Sequence, residues 1–207
     1  MSWSLNEVEV LSKKAARGAG YSWGMAEEAG RAVRWLSRQG QDGAAALAEL
    51  LEGLAGADPV TLAPTELRAD MSERKGLCPL ALGTLISDMP GLPGAGLVAG
   101  GVRAPLLVLP FAATAARRLG QAISVEAGPS GAVTDGDALF GLRPFGGAGL
   151  VSIGPSAIDG PRSEQRHRVL TGQEVWARLD VFAQRTYAPA TEASRLKGAG
   201  DGSVQDD

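Results

Sequence analysis

The sequence predicts an α+β fold: an amino-terminal helical layer on a mixed, mostly antiparallel sheet, then a final helix leading into an ordered carboxy-terminal tail. Three observations predict it. Residues 1–56 place apolar side chains at helical spacing, residues 57–170 alternate short apolar runs with glycine and proline, and residues 171–207 open on helical spacing again. The 207 residues contain no 20–50-residue repeat and no long linker, so one domain with these three parts is expected.

The first helix is predicted to begin at Leu5. Ser4 and Glu7 have the spacing of a capping box, flanked by Trp3 and Val8 at staple positions. Leu5, Val8, Leu11 and Ala15 make its apolar stripe, and Gly18 or Gly20 can end it. A second helix runs through residues 24–40, with Glu27 and Glu28 early and Arg34 and Arg38 late, the polarity that suits the helix dipole. In residues 44–56 the leucines Leu47, Leu50, Leu51 and Leu54 give a third amphipathic stripe. Pro79 suits the first position of a short fourth helix capped by Cys78 and ending before Pro90.

Residues 91–101 are glycine-rich and read as loop with one short strand. Strand, helix, strand is expected next, with strands at 106–109 and 122–126. Asp135-Gly136 predicts a two-residue type I′ hairpin turn, and residues 147–154 another strand, for a sheet of four to six. Thr171 and Glu174 have capping-box spacing before a last helix that Pro189 stops.

A net charge of −3 gives no long-range field for a polyanion, so nucleic acid is not an expected partner. The small basic cluster Arg162, Arg166, His167 and Arg168 reads as a solvated face. The longest apolar run is interrupted by proline and too short to span a bilayer, which argues against a membrane partner. With one cysteine and no signal-like start, the cytoplasm is the expected compartment.

One histidine and one cysteine cannot build a zinc site, and no metal ligand or cofactor is assigned. Cys78 combines two readings: a thiol at a helix N-terminus is favoured as thiolate, yet free cysteine usually packs in cores. The glycine-rich stretches lack a dinucleotide or P-loop pattern, while Arg143 with Gly146 and Gly147 reads as a plain loop or an anion nest. At the carboxy terminus Arg185, Tyr187, Glu192, Ser194 and Arg195 follow the last helix. They either anchor the tail or hold a carboxylate or phosphate by paired guanidinium hydrogen bonds.

The stretch LNEVEVLSKKAARGAGYSWGMAEEAGRAVRWL, the Cys-Pro, and RTYAPATEASRLKGAG with the acidic finish together resemble the uncharacterised bacterial domain-of-unknown-function family 3726 along essentially the whole chain. The resemblance implies a bacterial cytosolic protein and transfers no catalytic residue. If the two distinctive ends meet, Tyr21, Trp23 and Glu27 would wall a pocket floored by Arg185, Tyr187, Glu192 and Arg195.

The expected function is an enzyme or enzyme subunit of small-molecule catabolism that binds an anionic metabolite, with Cys78, Glu27 and Glu192 as the catalytic candidates. The alternative is a non-catalytic accessory subunit, or a homo-oligomer, docking through an exposed patch of Trp3, Trp23 and Trp35.

Overall fold

A computed structural model of the protein describes residues 2–54, 56–64 and 68–187. Ser4 caps the first helix as its spacing requires: its hydroxyl accepts from the Glu7 amide at 3.1 Å, and the Glu7 carboxylate accepts from the Ser4 amide at 2.7 Å. A two-residue strand, β1 (Trp3–Ser4), precedes α1 (Leu5–Gly18), and α2 (Trp23–Arg38) and α3 (Gly43–Gly53) follow. Val8, Leu11 and Ala15 of α1 and Leu47, Leu50, Leu51 and Leu54 in and beyond α3 are all buried, each leucine worth about 1.5–3 kcal/mol.

After β2 (Asp70–Met71), α4 (Pro79–Asp88) starts at Pro79 with Cys78 at its N-cap. The glycine-rich stretch that follows is more regular than expected: α5 (Gly91–Ala95) leads directly into β3 (Leu97–Val102). Residues 106–109 are not a strand. Pro105 opens a 3-10 turn, Pro105–Val108, and Pro110 sits in the first turn of α6 (Leu109–Leu119), where a missing amide costs nothing.

Helix α6 lies on β4 (Ile123–Ala127) and β5 (Ser130–Thr134), with α4 and α5 packed against it. The connection between these strands is the tight one. Gly128 at φ 60° precedes Pro129, and Ala127 pairs with Ser130. The hairpin from β5 to β6 (Leu139–Arg143) does contain Asp135-Gly136, but its loop has four residues. The Asp135 carboxylate accepts from the amides of Asp137 and Ala138, and this side-chain turn replaces the two-residue type I′ geometry.

Strand β7 (Gly149–Pro155) runs antiparallel between β3 and β4, with Val151 and Ile153 buried and Leu150 and Ser152 exposed. The six-stranded sheet has the order β2-β3-β7-β4-β5-β6, antiparallel except for β2 with β3. With its helices in a separate layer, the fold is α+β.

A second, two-stranded sheet joins β1 to β8 (Arg168–Val169) and so ties the start of the chain to the approach to α7 (Gln173–Ala183). The Trp3 ring stacks on Trp176 at 3.9 Å. Thr171 does not cap α7. Gly172 occupies the N-cap, and the Thr171 hydroxyl instead donates to Asp42, the residue whose other carboxylate oxygen caps α3.

Candidate functional site

Cys78 is placed for packing. It is fully buried (0% exposed) beside Tyr21, itself 3% exposed, with Tyr21 Oη 3.3 Å from Cys78 Sγ. Burial, reinforced by the adjacent thiol, pushes the Tyr21 hydroxyl well above its ordinary range, so it remains protonated. Tyr21 therefore belongs to the core, whereas Trp23 lies on the surface.

The two distinctive ends of the chain do meet, through α1. Lys14 Nζ donates to Tyr187 Oη at 2.6 Å and lies 5.0 Å above that ring. Arg185 stacks on Phe182 at 4.6 Å, in the short turn after α7 that packs against α1. Trp23 is 56% exposed and carries Lys13 and Arg17 over its ring at 5.7 and 5.2 Å. Arg17 also donates to the Tyr21 carbonyl at 2.9 Å.

Glu27 closes this set, taking Lys13 at 2.6 Å and Arg31 at 3.7 Å. The Lys13 ammonium holds the Glu27 carboxyl below the usual carboxylate range, which makes it a poor base. These cations are thus already engaged by partners among the described residues, while part of the floor expected for a pocket here, Glu192 and Arg195, lies outside them. Glu192, Ser194 and Arg195 lie outside the described residues. Arg143, the nest candidate, is bonded to the Glu126 carboxylate and the Pro129 carbonyl.

Another set of arginines is arranged differently. Trp35, Arg38 and Gln39 at the end of α2, Arg117 in the last turn of α6, and Arg162 and Gln165 in the segment before β8 surround a cavity of about 320 Å³, which Asp137 of the β5–β6 loop completes. Its wall is Gln39, 1% exposed. Gln39 Nε2 donates to the Asp137 carbonyl at 2.8 Å, and Gln39 Oε1 accepts from the Ser163 hydroxyl at 2.7 Å. Ser163 Oγ in turn accepts from the Leu139 amide at 3.1 Å. One buried amide thus fastens α2, the hairpin loop and the 161–168 segment to each other, and the Arg166 amide adds a bond to the Arg38 carbonyl at 2.7 Å.

The guanidiniums around this wall have weak engagements. Arg38 Nη2 donates to Gln165 Oε1 at 3.2 Å, and Arg117 Nη2 reaches Thr114 Oγ1 at 3.5 Å. Among the described residues neither they nor Arg162 form an ion pair with a carboxylate. Three exposed, fork-shaped donors line one cavity in excess of its single carboxylate, Asp137, with none of them in an ion pair among the described residues, an arrangement able to grip a carboxylate or phosphate.

In the sequence Arg38 reads as a helix-end charge and Arg162 as part of a solvated face. Their convergence depends on the hairpin and on the docking of the 161–168 segment, neither of which leaves a local spacing to read. The hint that was present is the pairing of two helix-closing arginines with a basic loop.

The fold and this cleft define an α+β protein with an arginine-lined surface cavity. Residues 3–78 match the family described as "Protein of unknown function (DUF3726)". That is the family the sequence resembles, and the match supports the assignment over this stretch; it takes in Arg38 and Gln39 but neither Arg117 nor Arg162. No curated protein and no solved structure matches the chain. No helix among the described residues is long and apolar enough to cross a membrane, and no three potential metal-ligating side chains gather among them.

Proposed function

We propose that the protein binds a small anionic metabolite in the cleft between α2, α6 and the 161–168 segment, as a cytoplasmic bacterial enzyme or enzyme subunit of small-molecule catabolism. The observation that carries the reading is the convergence of Arg38, Arg117 and Arg162 on one cavity with only Asp137 to oppose them. A cavity of about 320 Å³ lies within the range of roughly 300–1,000 Å³ usual for small-molecule sites. Three like charges lining one cavity against a single carboxylate are relieved by an anion from outside, and the Gln39 bonds fix the loop that carries Asp137 and the segment that carries Arg162 beside the end of α2. The accessory-subunit reading calls for Trp3, Trp23 and Trp35 on the surface together; Trp23 alone of the three is exposed.

Melting of the full chain against phosphate, sulfate, phosphate esters and small carboxylates tests this. A compound at about 100 times its Kd adds roughly 2.7 kcal/mol if it binds only the folded state. At least one anion should raise Tm in the wild type and lose that effect in Arg117→Gln and Arg162→Gln. A panel without any rise, or a rise that survives both substitutions, overturns the proposal.

A further inference from the structure

The arginine cavity has a neighbour. A second cavity of about 220 Å³ is lined by Gly40, Gln41, Leu142, Pro161, Glu164 and Arg166, and it shares Gln39 and Arg162 with the first. Arg162 therefore borders both, and Gln39 is the partition between them. Alone, the second cavity lies below the roughly 300 Å³ at which small-molecule pockets begin, so its interest lies in the two residues it shares with the first.

The charges of the two lobes are informative taken together. Arg38, Arg117, Arg162 and Arg166 stand against Asp137 and Glu164, a surplus of two positive charges. Arg166 is the one guanidinium of the four with a carboxylate partner, a single 3.4 Å contact to Glu164. Both of those side chains are exposed, and such a pair contributes about 0–1 kcal/mol, so an incoming anion displaces it at little cost. Arg162 has five N–H donors and, among the described residues, no side-chain hydrogen bond or ion pair of its own, which lets it serve an anionic group on each side.

The geometry points to a ligand with two anionic groups, one held by Arg38, Arg117 and Arg162 and the other by Arg162 and Arg166 on the far side of Gln39. This rests on the anionic-metabolite reading above and narrows its ligand class: a small molecule with two carboxylates, two phosphates, or one of each, separated by a short spacer. Each additional charged hydrogen bond in the second lobe is worth enough to change affinity about tenfold.

The test is calorimetric titration of the full chain, at fixed ionic strength, with linear dicarboxylates from malonate to adipate and the monocarboxylates of matched length. Alkane bisphosphates and the corresponding monophosphates make a parallel series. In the wild type one ligand with two anionic groups should bind about tenfold tighter than its matched single-headed counterpart. Arg166→Gln should collapse that preference to about one, and Arg162→Gln should weaken both members of the pair, with circular dichroism verifying that each variant is folded. Binding of single- and double-headed probes with equal affinity, or a preference that Arg166→Gln leaves intact, overturns the two-group ligand while the anionic-ligand reading stands. Failure of every probe to bind overturns both.

Discussion

Two groups of cations lie on this molecule, and they are built in opposite ways. At the carboxy-terminal half of α1, Lys13 is held by Glu27, Lys14 by Tyr187, and Arg17 by a backbone carbonyl and the face of Trp23. In the cleft, Arg38, Arg117 and Arg162 form no ion pair among the described residues, and the hydrogen bonds Arg38 and Arg117 make are long. The first group spends its charge within the fold, joining α1 to α2 and to the segment after α7. The second keeps its charge available, and the rigidity there comes from the neutral, buried Gln39 network beneath. Charge that is satisfied fastens; charge assembled on a neutral scaffold and left out of ion pairs is what the proposed site consists of.

The largest effect that could break this contrast is expected at Gln39. Replacing it by leucine leaves the Ser163 hydroxyl without its acceptor and strips the stronger of two amide donors from the Asp137 carbonyl. Each hydrogen bond lost costs about 0.5–1.5 kcal/mol. Urea denaturation of Gln39→Leu should therefore show a loss of about 1–3 kcal/mol, with faster amide exchange in the 161–168 segment. Wild-type stability and protection would mean that something other than this network holds the arginines in place.

A smaller effect should separate the two cation groups directly. Lys14→Met removes a 2.6 Å bond and a cation–ring contact and should cost about 0.5–1.5 kcal/mol without ligand. Arg162→Met removes no side-chain partner and should fall within about 0.5 kcal/mol of the wild type, or on the stable side of it, since it relieves repulsion. The reverse order in thermal melts would make the cleft a structural element and the α1 face the region with charge to spare.

What the sequence made legible follows the same division. The helices α1 to α4 and α7 could be read because their evidence is local: the Ser4–Glu7 capping box, the leucine stripe of α3, and Pro79 at the first position of α4. Residues 106–109 misled because PLLVLP has the composition of a buried strand, and periodicity cannot separate a short apolar run in a strand from one in a helix. The two prolines, each suited to a helical first turn, were the better indicator. The tail was singled out for its arginines; of those residues, Arg185 and Tyr187 are seen against α1 and the others lie outside the described residues. The cleft was legible only in fragments. Arg38 and Arg162 are far apart in sequence and are brought together by a glutamine that no motif marks, so only the fold reveals that they line one cavity.

The smallest prediction concerns pH at the fastened group. Because Lys13 lowers the folded-state pKa of Glu27, the pair stabilises the fold fully above the unfolded carboxylate range, near pH 4.5 and upward, and that contribution disappears as pH falls through the depressed folded value. Glu27 is solvent-exposed, so the effect is modest and should shrink further in high salt. Acid melts of the wild type and Glu27→Gln should therefore converge at the low end of the titration and separate toward neutrality, with the variant the less stable. At the cleft no analogous carboxylate is paired with Arg38, Arg117 or Arg162, so Arg162→Met should show an acid limb parallel to that of the wild type. A steeper or shallower limb in Arg162→Met would reveal a carboxylate that satisfies the cleft from within, and the distinction between fastening charge and available charge would be lost.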